Sequence, residues 1–220
     1  MFKLISIDDE KELIVGYNPE NADNFYEQSA KIANKKFDTE LKKIKGQNKK
    51  VVLMCGGSAS GKTEFIEKFC PTENEGEEIE GIIFDSTLST TEGAKVKIDK
   101  ILKSKNIPII CLILPYNLSR CLRAFHGRER KIPEKRFFET HSGGRKVALW
   151  IAKNFENVDL LIYYNLLANE AKEIDVEIDD EDNGQGFAEI SFENKFEMIN
   201  FLENSQYLED EIKNLINENK

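Results

Sequence analysis

Hydrophobic and polar positions follow two periods along this chain. Over residues 22–45, Ala30, Ala33, Phe37, Leu41 and Ile44 recur three or four apart with Lys and Glu between them, which predicts an amphipathic helix lying over a core. Gly46-Gln47-Asn48 ends that pattern. Next comes Val51-Val52-Leu53-Met54-Cys55, an apolar run too short for a helix and suited to a strand buried on both faces. The same shape returns at Gly81-Ile82-Ile83-Phe84 before Asp85, at residues 109–114 before Pro115, and at residues 158–164 before Asn165. Helical spacing over residues 63–70, 91–104 and 143–156 separates these runs, and residues 72–80 read as an acidic loop. Past residue 168 the signal weakens to an alternating edge strand at residues 187–192 and a last helix marked by Leu208, Ile212, Leu215 and Ile216.

Apolar strands alternating with helices predict an α/β fold, a three-layer arrangement around a mostly parallel sheet whose ligands sit at the carboxyl ends of the strands. The expected organisation is one domain over residues 1–220. Residues 1–49 form a helical N-terminal extension, 50–168 the core with a lid at about 120–146, and 169–220 an acidic C-terminal extension.

Where the first apolar run gives way to its helix stands Gly56-Gly57-Ser58-Ala59-Ser60-Gly61-Lys62-Thr63, which satisfies G-x-x-x-x-G-K-[ST]. In a strand–loop–helix setting this is a phosphate-cradling P-loop. Its backbone N–H groups and the helix N-terminus converge on an anion, Lys62 reaches the β- and γ-phosphates, and the Thr63 hydroxyl ligates Mg²⁺. The implied cofactors are ATP or GTP with Mg²⁺. Asp85, closing another strand of the same sheet, suits a base or a Mg²⁺-ordering group, and equally a helix N-cap.

Charge refines this picture. The net charge is −9, which argues against a surface that grips nucleic acid by neutralising its phosphates. Residues 120–146 nevertheless hold nine Lys or Arg against three Glu, and residues 169–197 hold eleven acids against two Lys. A cationic segment inside an acidic protein points to a local anion site of nucleotide or sugar-phosphate size. Its arginines (Arg120, Arg123, Arg128, Arg130, Arg136) suit a lid that stabilises a transferring phosphoryl group, with Gly127, Pro133 and Gly143-Gly144 as hinges. No apolar stretch is long enough to span a bilayer, the N-terminus lacks a signal-peptide pattern, and a cytoplasmic protein without a membrane partner is expected. Cys55, Cys70, Cys111 and Cys121 are then packing thiols, Cys55 abutting the phosphate loop. The stretch Asp179-Asp180-Glu181-Asp182-Asn183-Gly184 lacks the register of a calcium loop.

Together the helix at residues 26–38, the run from Val51 through Thr63, Phe84-Asp85-Ser86-Thr87-Leu88-Ser89, the lid-like Arg128-Glu129-Arg130-Lys131-Ile132-Pro133-Glu134 and the strand at residues 158–165 resemble the zeta toxin family of P-loop kinases. The central motifs are also similar to those of polynucleotide kinases. The resemblance, over roughly residues 25–165, implies transfer of a γ-phosphoryl group to the 3′-hydroxyl of the sugar in a nucleotide sugar such as UDP-N-acetylglucosamine. It also implies an antitoxin protein as partner, Asp85 and Thr87 as substrate contacts, and Lys62, Asp85, Arg123, Arg128 and Arg136 as catalytic residues. The family's separate strand bearing the base Asp has no counterpart between residues 71 and 80, which leaves Asp85, Glu78 or Glu80 for that role, or a different acceptor. The competing expectations are a polynucleotide 5′-hydroxyl kinase and a catalytically inactive nucleotide-binding module that acts through a protein partner.

Overall fold

In the computed structural model, residues 1–70, 80–173, 185–204 and 212–217 are described. Six strands form one sheet in the order β1-β3-β2-β4-β5-β6. They are β1 (Phe2–Ser6), β2 (Lys50–Cys55), β3 (Gly81–Asp85), β4 (Ile107–Pro115), β5 (Asp159–Leu167) and β6 (Gln185–Glu189). The first five run parallel, and β6 pairs antiparallel with β5 at one edge. The expected α/β architecture with a mostly parallel sheet is present. Each central strand is apolar along its length because both its faces are covered. Leu53, Cys55, Phe84, Ile110 and Leu112 join one core cluster, whereas the intervening Met54, Ile83, Cys111 and Ile113 join another, which is the period of two that a pleated strand imposes.

The larger face carries α2 (Tyr26–Lys43), α4 (Thr91–Lys103), α6 (Glu134–Asn154) and α8 (Lys195–Asn204), with Ala33, Phe37, Leu41, Ile98, Ile101, Val147, Ile151 and Leu202 buried. The opposite face is covered by α3 (Lys62–Phe69) through Phe65 and Ile66. Capping follows local chemistry. Thr90 accepts from the Gly93 N–H at the start of α4, and Asn117 accepts from the Arg120 N–H at the start of α5 (Leu118–His126).

Several expectations are corrected. The N-terminal segment is not purely helical. Before α1 (Ile7–Glu12) and the short 3₁₀ helix Pro19–Phe25, residues Phe2–Ser6 form the edge strand β1, held parallel to β3 with Ser6 opposite Asp85. Lys3 interrupts the apolar run, and that is why its strand character is faint in the pattern. Helix α6 starts nine residues before the expected position 143, so Gly143 and Gly144 lie inside a helix and are not hinges. They serve close packing instead: a Cβ at Gly143 would come 2.5 Å from the Ser89 carbonyl oxygen, and one at Gly144 3.2 Å from the Gly56 Cα. Gly127 and Pro133 do flank the connection between α5 and α6. The C-terminal part is less of an appendage than its acidity suggests, since Leu202, Ile212 and Leu215 are buried in the main core. Neither α7 (Ala168–Glu173) nor α8 was expected. The acidic loop up to residue 79, the Asp179–Gly184 stretch and Leu208 lie outside the described residues.

Candidate functional site

The glycine loop leaves β2 at Cys55 and enters α3 at Lys62, so it sits at the carboxyl end of a central parallel strand. Its backbone is tied on three sides. Gly56 N–H donates to the Thr87 carbonyl at 3.2 Å. On the α6 side, the Ser58 N–H donates to Thr140 Oγ1 at 3.1 Å, and His141 Nε2 lies 2.9 Å from the Ser58 carbonyl oxygen. From β5, Asn165 Nδ2 donates to the Ser60 carbonyl at 2.9 Å. Asn165 is itself held by Arg120, whose Nη2 donates to the Asn165 carbonyl at 2.9 Å and to Glu170 at 3.2 Å. Glycine is required at two positions for different reasons. At Gly57 a Cβ would fall into the His141 ring, and at Gly61 the backbone is left-handed (φ +95) while a Cβ would collide with Asn165.

Lys62 points back onto its own loop, donating to the carbonyls of Gly56 at 3.1 Å and Gly57 at 2.8 Å. Burial lowers its pKa, the Arg128 charge adds to this, and Asp85 opposes it. Asp85 ends β3 in the same cavity and is raised to about 6 by burial, with Lys62 pulling it down and Asp8 pushing it up. The cavity encloses about 170 Å³. Its lining includes Ser58 to Thr63, Asp85 and Thr87 together with Arg128, Arg130 and Arg136. Arg123 is exposed on α5 and does not line the cavity, and Arg120 is spent on the Asn165–Glu170 network. Glu80 precedes β3, at the end of the strand away from the glycine loop, and Glu78 is outside the described residues.

Two further residues, Asp8 and His141, join the site from distant parts of the chain. Asp8, just beyond β1, lines the cavity 77 positions before Asp85 and forms a 2.7 Å ion pair with Arg130 and a 3.0 Å hydrogen bond from the buried Lys11. Burial works against its charge, but Arg130 and Lys11 outweigh that and hold its pKa below the usual value. The signal was the strand-then-acid run Leu4-Ile5-Ser6-Ile7-Asp8, a fainter copy of Phe84-Asp85. Nothing in the sequence marks His141 as a neighbour of the loop. Cys55 lies fully buried beneath the loop, its thiol pushed up to about 12 by burial and directed to the Gly144 carbonyl at 3.4 Å, which leaves it protonated and structural.

Among the described residues no group of three or more His, Cys, Asp or Glu could hold a metal on its own. The donor set at the loop, a Thr63 hydroxyl and the Asp85 carboxylate, consists of hard oxygens and fits Mg²⁺, which takes few protein ligands and completes its shell with phosphate oxygens and water. No described helix is long and apolar enough to cross a membrane. No protein-family model and no curated protein matches the chain.

His141 yields a prediction of its own. It is fully buried among Phe137 and the loop, and its Nε2 must carry the proton because a carbonyl oxygen only accepts. Burial lowers its pKa to about 3, helped by Lys62 and Arg128. An unfolded histidine takes up its proton near pH 6.5 and the folded one far lower, so this stability is complete above about pH 6.5 and is lost as pH falls. Between pH 7 and 5 the wild type should lose about 2 kcal/mol more than His141→Gln, measured by urea unfolding. Asp85 titrates in the opposite sense in both proteins and cancels in the difference.

Proposed function

We propose that the chain is a phosphotransferase of the zeta-toxin kind, a P-loop kinase that moves the γ-phosphoryl group of ATP or GTP to a hydroxyl of a small acceptor, a nucleotide sugar or another nucleotide. The observation that carries the reading is the convergence in one cavity of a G-x-x-x-x-G-K-T loop opening a helix, Lys62, the carboxylates of Asp85 and Asp8, and the guanidinium groups of Arg128 and Arg136. Loop N–H groups and Lys62 would bind the triphosphate, and the arginines would neutralise charge on the transferring group. Thr63 and Asp85 would hold Mg²⁺, which would supply positive charge to neutralise the phosphates. In the reaction the bond from the β,γ-bridging oxygen to the γ-phosphorus breaks and the acceptor oxygen bonds to that phosphorus. The acceptor proton passes to a cavity carboxylate, for which Asp85 is the first candidate, and the nucleoside diphosphate leaves.

The test is Mg²⁺-dependent transfer from γ-labelled ATP and GTP to a panel of UDP-sugars, nucleosides and 5′-hydroxyl oligonucleotides. Transfer to one acceptor, lowered about 100-fold or more in kcat by Asp85→Asn, is the expected result. Nucleotide binding without transfer to any acceptor would overturn the kinase in favour of a binding module. Transfer to oligonucleotides alone would make the chain a polynucleotide 5′-hydroxyl kinase.

A further inference from the structure

Helix α6 meets the glycine loop through one face, on which Thr140, His141 and Gly144 follow each other at helical spacing. Gly144 lies against Gly56, the Thr140 hydroxyl accepts from the Ser58 N–H, and His141 donates to the Ser58 carbonyl. The Thr140 hydroxyl proton goes to the Phe137 carbonyl at 3.0 Å, leaving a lone pair for Ser58. We propose that Thr140 and His141 are positioning residues that hold the loop in the shape in which it receives a nucleotide triphosphate. The inference rests on the phosphotransferase reading above.

Ala59 is the strained point of the loop. It has a left-handed backbone (φ 62) without being glycine, a conformation that costs about 1–2 kcal/mol for an L-residue with a Cβ. An unsupported loop would relax from it. The carbonyls on either side are both pinned, Ser58 by His141 and Ser60 by Asn165, so the kink is bracketed by two helix- and strand-borne donors. These bonds also occupy two carbonyl dipoles that would otherwise be free to turn toward an anion. Gly57 has no side chain because the His141 ring stands where one would go. Since α6 also carries Arg136, one turn before Thr140, and Glu139, both of which line the cavity, the same helix sets the loop and part of the cavity lining.

The test compares Thr140→Val and His141→Phe, which keep the space filled but remove the polar partner, with Thr140→Ser, which keeps the acceptor. In the full-length protein, exchange of the Ser58 amide should quicken about tenfold in Thr140→Val and stay near wild type in Thr140→Ser. Affinity for Mg·ATP and Mg·GTP by calorimetry should fall about tenfold in Thr140→Val and His141→Phe, with Thr140→Ser within about threefold, and any activity loss should lie in KM more than in kcat. Unchanged nucleotide affinity in both apolar variants overturns the inference while leaving the phosphotransferase reading intact. A wild type that binds neither nucleotide overturns that reading. In that event an unchanged Ser58 exchange rate in Thr140→Val shows that the loop is not anchored by α6 either. Should His141→Phe not fold, the Thr140 pair decides, because it differs at a half-buried position by one hydroxyl and one methyl.

Discussion

Replacing Lys62 with Ala should lower γ-phosphoryl transfer by about 100- to 1,000-fold, some 3–4 kcal/mol of transition-state stabilisation. The folded protein should barely notice. Lys62 sits in a site that disfavours its charge, through burial and then Arg128, so the ammonium is held at a cost that nucleotide binding would offset. Removing it forfeits two hydrogen bonds to the Gly56 and Gly57 carbonyls but also relieves that desolvation. Unfolding free energy should stay within about 1 kcal/mol of wild type, measured by urea titration of the nucleotide-free protein. Loss of transfer alongside intact folding would identify a residue kept for its ligand. An unchanged transfer rate would remove Lys62 from the mechanism.

Gly57→Ala should do the reverse and damage both properties. The new methyl has no room beside the His141 ring, and the ring is fixed by its bond to Ser58 and its packing on Phe137, with centroids 4.4 Å apart. Overpacking at a buried, polar-anchored contact costs about 1–3 kcal/mol, and the strain would displace the loop that holds Lys62. The expected readout is a lower unfolding midpoint together with at least a tenfold loss of nucleotide affinity. A second-site change to a smaller residue, His141→Ala, should restore part of the stability in Gly57→Ala but not the affinity, because the Ser58 carbonyl would remain without its donor. Equal stability of Gly57→Ala and wild type would mean that the helix–loop contact is not as rigid as its geometry implies.

How much of this was legible depends on the range of the interactions concerned. Val51–Cys55, Gly81–Phe84 and the two later runs announced themselves because a strand buried on both faces needs apolar residues in succession, a local requirement visible without partners. Helix α2 was legible for a similar reason, since one face meets the core. The hinge expected at Gly143-Gly144 is instead the interior of α6, because paired glycines serve equally as flexible links and as surfaces for close approach. Only the proximity of Ser89 and Gly56 decides between them.

The candidate site divides along the same line. The spacing of Gly56, Gly61, Lys62 and Thr63 and the strand-ending Asp85 are facts of local sequence. From them follow the expectation of an anion-binding loop and the place of a carboxylate near it, since both depend on short stretches of backbone. Which cations face the cavity could not follow, because Arg120, Arg123, Arg128, Arg130 and Arg136 are alike as residue types and differ only in what surrounds them. Arg120 is consumed by Asn165 and Glu170, Arg123 faces outward, and Arg128, Arg130 and Arg136 turn inward. Nor could the sequence bring Asp8 beside Asp85 or set His141 under Gly57. Those meetings arise from strand β1 pairing at the far side of β3 and from α6 crossing the loop, and contacts between residues 77 or 84 positions apart are decided by how strands and helices pack rather than by the residues next to them.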